Sequence, residues 1–116
     1  MNTMPNNYDS MKVMTVYARD WELERNVPTH LYPDWVTVRD AAVHRAFVTL
    51  EMRYQTYARD SWTALVLLSV ERTKSCSCET CEVWRMREVQ IINEVRIEMS
   101  RAYQQLKEKE SYEPTK

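Results

Sequence analysis

Three cysteines, Cys76, Cys78 and Cys81, fall within six residues in the stretch CSCETC, and the 116-residue chain has no others. Thiolates bind soft metal ions and attack disulfides, so chemistry is expected here first. A structural zinc site takes four ligands, and the C-x-C-x-x-C spacing supplies three of them from one short loop. His30 or His44 could bring the fourth, as could a carboxylate or a cysteine of a second copy. CETC is also a C-x-x-C pair ahead of a predicted helix, whose amides and dipole would favour the thiolate of Cys81. A thioredoxin-like site needs a βαβ setting, and none is visible. The first reading of the cluster is free thiols in a turn between helices; a zinc knuckle is the second.

The remaining inventory of reactive groups is thin. The chain contains no glycine. Dinucleotide fingerprints, P-loops and G-x-S-x-G elbows all require that residue, so those enzyme families are excluded. No Glu-x-x-His pair of the dinuclear carboxylate bundles occurs. His44 lies beside an apolar stripe and His30 between two prolines, with no nucleophile placed near either. No catalytic residue is nominated, and the chain is expected not to be an enzyme.

Charge offers a nucleic-acid reading. Arg72, Lys74, Arg85 and Arg87 gather around the cysteine turn, while Arg45, Arg53 and Arg59 alternate with Thr49, Thr56 and Thr63 on what reads as the outer face of a helix. Arginine and threonine so arranged can track a phosphate backbone of duplex RNA or DNA. Against this, Glu71, Glu79, Glu82 and Glu88 offset the turn cluster, and the net charge is -1. A chain this balanced carries little of the electrostatic term that drives non-specific binding.

The elements that must position these groups are helical. Between residues 34 and 113 there is neither proline nor glycine. Val43, Phe47, Leu50, Tyr54, Tyr57, Ser61, Ala64 and Leu68 recur at steps of four and three, predicting a helix over 35–74 capped by Asp34, or by Thr37 with Asp40, with a kink at ARDS as the alternative. Trp84, Ile91, Ile92, Val95, Met99, Ala102 and Leu106 predict a second helix over 82–109, capped by Thr80. Glu88 interrupts that stripe and is expected to pair with an arginine. Residues 11–25 fit a helix through Met11, Met14, Ala18 and Trp21, or a strand through Met11, Val13, Thr15 and Tyr17; the helix is preferred. NVPTHLYPDW reads as an extended connector.

The expected fold is all-α: an N-terminal segment and proline-containing connector over 1–33, an antiparallel helical hairpin over 34–110, and a frayed tail over 111–116. WTALVLLSV is apolar nearly all round, so it needs a further partner surface, from the N-terminal segment or from a second copy. Tyr54, Tyr57, Trp62, Val66, Leu67, Val70, Trp84 and Ile97 are the candidate interface of a dimeric bundle. No apolar leader follows a basic start, no run is long enough to span a membrane, and the cysteines are odd in number, so an intracellular, cytoplasmic location is expected. The function expected is non-catalytic binding or regulation through helix faces, of the kind found in viral and mobile-element accessory proteins. The alternative is a dimeric nucleic-acid-binding protein with zinc at the turn.

Overall fold

The computed structural model describes residues 7–21, 24–54 and 61–112. These are helical almost throughout: α1 (Asn7–Arg19), short 3-10 turns at Glu24–Asn26 and Thr29–Leu31, α2 (Tyr32–Arg53), α3 (Trp62–Arg72) and α4 (Glu79–Tyr112). No described residue has a positive φ, the backbone counterpart of a sequence without glycine.

In α1 the helical period prevails over the alternating one. Met14, Ala18 and Trp21 are buried, whereas Val13, a member of the alternating set, faces solvent. The connector is shorter than the prolines suggest. α2 already begins at Tyr32, with Pro33 in its first turn, where a missing N–H costs no hydrogen bond. Neither proposed cap operates: Leu31 is the N-cap residue without a side-chain bond, and Asp34 lies inside the first turn. The Thr37 hydroxyl donates back to the Pro33 carbonyl at 3.5 Å.

Glu24 fastens the connector to α2. Its carboxylate accepts from Trp35 Nε1 at 2.7 Å, from the Arg39 guanidinium at 2.6 Å and from the Tyr32 hydroxyl at 3.2 Å. Beside it Trp21 stacks on Trp35 with centroids 5.7 Å apart, and Tyr103 of α4 meets both rings edge-on at 5.5 and 6.1 Å. Each such pair adds about 0.5–1.5 kcal/mol beyond its burial.

The long first helix of the sequence reading is two helices. α2 ends at Arg53, Tyr54 adopts φ −120° and ψ 49°, and α3 starts at Trp62. An unbroken helix over residues 35–74 would be about 60 Å long and would carry WTALVLLSV away from the core. The break instead returns it. Trp62 stacks on Tyr54 at 4.3 Å, and α3 packs on α1, α2 and α4. Two side chains secure the restart. Ser61 caps α3 by accepting from the Ala64 amide at 3.2 Å. Glu51, still on α2, accepts from the Trp62 and Thr63 amides at 3.0 and 2.8 Å, and from the Ser61 and Thr63 hydroxyls at 2.8 and 2.9 Å. A carboxylate at a helix N-terminus satisfies amides that have no intrahelical partner and complements the dipole.

α4, 34 residues long, is the common partner of the other three helices. Its buried stripe is Ile91, Val95, Met99, Ala102 and Leu106. It runs antiparallel to α2, since Arg53 meets Glu94 and Arg45 meets Glu98, both at 3.1 Å. It starts three residues earlier than the spacing predicts, at Glu79, so Thr80 lies inside it and not at its cap.

Candidate metal centre at the turn between α3 and α4

α3 closes at Thr73, whose amide donates to the Ser69 and Val70 carbonyls at 3.0 and 3.1 Å. The next five residues carry two of the cysteines, and α4 supplies the third. The first hydrogen bond of α4 runs from the Glu82 amide to the Cys78 carbonyl at 3.0 Å, which makes Cys78 the N-cap residue. Its sulfur takes the part that a serine oxygen usually plays at this position, facing the Cys81 amide, the third of the helix. Arg85 ties the turn together from the second turn of α4: it donates to the Thr73 carbonyl at 2.8 Å and pairs with Glu82.

The Sγ atoms of Cys76, Cys78 and Cys81 all lie within 4.8 Å of one another, and those of Cys78 and Cys81 are 3.3 Å apart. Zinc–sulfur bonds of about 2.3 Å in a tetrahedron place sulfurs about 3.8 Å apart, so this spread brackets the spacing that an ion would impose. Cys76 and Cys78 are exposed and Cys81 is buried. The Cys78 thiol is drawn down to about 7, chiefly by the Cys81 backbone N–H and then by the neighbouring sulfurs of Cys76 and Cys81. The Cys81 thiol is pushed up to about 12 by its hydrogen bonding with the Cys76 and Cys78 sulfurs and by being shielded from water. The sequence reading favoured a thiolate at Cys81. The reverse holds, because Cys81 contributes its amide to the cap while Cys78 receives it.

Three soft ligands from one turn could hold a metal ion. Neither histidine joins them: His30 sits in the second 3-10 turn and His44 on the exposed side of α2. Among the described residues no carboxylate belongs to the cluster either.

The arginines named for nucleic acid are drawn into other work. Arg45 and Arg53 are exposed on α2, as expected, and also reach across to α4, where Glu98 and Glu94 are buried to 5% and 6% exposure. Buried carboxylates need such partners, so these pairs are structural clamps. Arg101 adds a second contact to Glu98 at 3.2 Å. Lys74 pairs with Glu71 at 3.2 Å, and the Arg87 guanidinium lies 4.8 Å over the Trp84 ring. Arg72 is exposed at the end of α3, and Arg59 lies outside the described residues. Among the described residues Glu88 has a different partner from the expected arginine: it accepts from the Tyr17 hydroxyl of α1.

The residues named for a dimer interface divide. Trp62 and Val66 are buried inside the chain itself, and Tyr54, Leu67, Val70 and Trp84 are half-buried against its core. Ile97 remains exposed on α4, together with Val83, Met86 and Val89. Tyr57 lies outside the described residues. Sequence reasoning missed Glu51 and the capping role of Cys78. Ser61 ahead of an apolar run was the available signal for the start of α3.

No described helix is long and apolar enough to cross a membrane. No family model matches the chain, and no curated protein or solved structure is detectably similar to it.

Proposed function

We propose that the chain is a small non-catalytic binding protein, built on a helical bundle, whose α3–α4 turn is braced by a soft metal ion, zinc first among them. One observation carries this reading: three sulfurs from one turn lie within 4.8 Å of one another, beside a helix start that favours thiolate. The carboxylates drawn into the fold support a structural use over a catalytic one, since Glu24, Glu51, Glu94 and Glu98 are each occupied by arginines, amides or hydroxyls. The binding face is the outer side of α4, where Val83, Met86, Val89 and Ile97 stand in solvent; its occupant is a protein helix, a second copy included. A reducing compartment keeps the thiols available to metal.

Native mass spectrometry of protein purified in reducing buffer without chelator reads metal and subunit number together. One zinc per chain is expected, retained against a weak chromophoric chelator and lost in Cys78→Ser. A chain that holds no zinc, or holds it equally well after that substitution, overturns the metal assignment. The face has its own test. Met86→Glu with Ile97→Glu should abolish self-association or partner capture while leaving the helical content unchanged. If association survives both charges, α4 is not the binding face.

A further inference from the structure

We infer that Cys78 and Cys81 form a reversible disulfide, so that the α3–α4 turn is an oxidation site for hydroperoxides. The inference stands on the geometry of the turn and does not require that metal binds there. The two sulfurs are already 3.3 Å apart. A disulfide bond of about 2.05 Å therefore needs them to close by little more than 1 Å, roughly the motion of a side-chain rotation with the backbone in place. The pair straddles the first turn of α4, where residues three apart share a face. Their exposures are also unequal in the useful sense: Cys78 is open to an oxidant in solution, and Cys81 lies buried behind it as the resolving thiol.

The chemistry balances in two steps. The Cys78 sulfur attacks the terminal oxygen of a hydroperoxide, the O–O bond breaks, and the alcohol leaves with the thiol proton, giving a sulfenic acid. The Cys81 sulfur then attacks the Cys78 sulfur. The S–S bond forms, the S–OH bond breaks, and hydroxide leaves with the Cys81 proton as water. Two thiols lose two electrons and the peroxide gains them; two equivalents of a small thiol reverse the change. The exposed Cys76, within 4.8 Å of both, stays reduced as the third sulfur. The bond removes two of three metal ligands and alters the sulfur that caps α4, so oxidation and metal occupancy exclude each other wherever metal binds.

The test uses the full chain, reduced and stripped of metal, exposed to stoichiometric hydrogen peroxide. Free thiols are blocked with iodoacetamide, disulfides are then reduced and labelled with N-ethylmaleimide, and the tryptic peptide over residues 75–85 is sequenced by mass spectrometry. Cys76 should carry the first label, and Cys78 and Cys81 the second. In Cys76→Ser the disulfide yield should be unchanged. In Cys81→Ser it should fall by at least about tenfold, with a dimedone-reactive sulfenic acid at Cys78. The second label on Cys76, chains cross-linked in pairs, or a sulfinic acid at Cys78 of the unmodified sequence would each overturn the assignment. Equal loss of disulfide in Cys76→Ser and Cys81→Ser would do so as well.

Discussion

Replacing Glu51 with alanine tests whether one carboxylate holds the α2–α3 break together. The side chain accepts four hydrogen bonds, from the Trp62 and Thr63 amides and from the Ser61 and Thr63 hydroxyls, at 2.8 to 3.0 Å. Trp62, Thr63 and Ser61 are all buried, so water cannot fully replace the lost acceptor. Once the carboxylate is gone one hydroxyl is free to donate to the other, 2.8 Å away, which leaves the two amides as the principal loss. A buried donor left unsatisfied costs about 1–3 kcal/mol, and partial hydration of this half-buried site argues for about 1–1.5 kcal/mol at each amide. The expected destabilisation is about 2–3 kcal/mol. Glu51→Gln, which keeps an acceptor oxygen but no charge, should lose about half as much. Urea unfolding followed by far-ultraviolet circular dichroism gives the magnitude, and the midpoint should fall by about 1–2 M with an unchanged slope. Hydrogen exchange gives the location: the Trp62 and Thr63 amides should lose protection ahead of the α4 core. A loss below about 0.5 kcal/mol, or uniform loss of protection along the chain, would show that packing of Trp62 on Tyr54 sets the break and that the carboxylate merely follows it.

Two further outcomes follow from named contacts. Glu24→Gln removes the nearer charge facing Arg39, which is 7% exposed, and leaves it only the exposed Asp40 carboxylate at 3.9 Å; thermal and urea unfolding should register about 3 kcal/mol, and a value within error of zero would contradict the hub. Tyr17, half-buried and bonded to Glu88, has its phenol pushed above the ordinary value, by burial first and then by the carboxylate. The fold therefore favours the neutral phenol: its contribution is complete below the ordinary phenol value of about 10 and is lost as pH rises through the higher folded value. Stability of Tyr17→Phe measured across the alkaline range should decline less steeply than that of the unmodified chain, and parallel curves would refute the coupling.

How much was legible in the sequence divides by the range of the interaction. Stripes of buried side chains are local and periodic, so Met14, Ala18 and Trp21, and then Ile91, Val95, Met99, Ala102 and Leu106, could be read directly, and with them the helical class. The break after Arg53 could not be fixed, because its cause is a tertiary bond from Glu51 to amides eleven and twelve residues away. No proline or glycine marks it. The ion pairs were hidden for the same reason: Arg45 and Arg53 do face solvent, but their partners Glu98 and Glu94 on α4 lie 53 and 41 residues away. The cysteine cluster was visible from its spacing, but not which sulfur takes the amide. That depended on where α4 begins: the helix starts three residues earlier than expected, and the cap falls on Cys78 in place of Thr80. Boundaries of this kind are decided by caps and packing, which periodicity does not encode.

α4 spans about 51 Å at ~1.5 Å per residue, nearly the 58 Å long axis of the molecule, and every other helix reads its position from it. Deleting one residue ahead of Glu94 would turn everything beyond by about 100° and slide it by about 1.5 Å. Glu94 and Glu98 would move to the exposed positions of Asn93 and Ile97, and Arg96 to the buried position of Val95; an insertion would turn the helix the other way and set both carboxylates on the buried stripe. No neighbouring loop could absorb that error, since the helix is continuous past all three of its partners. The lineage of such a chain is thus free to vary in identity but not in length between Cys81 and Leu106. Relatives should differ there by substitution alone, with insertions and deletions gathered in the segments on either side of α3.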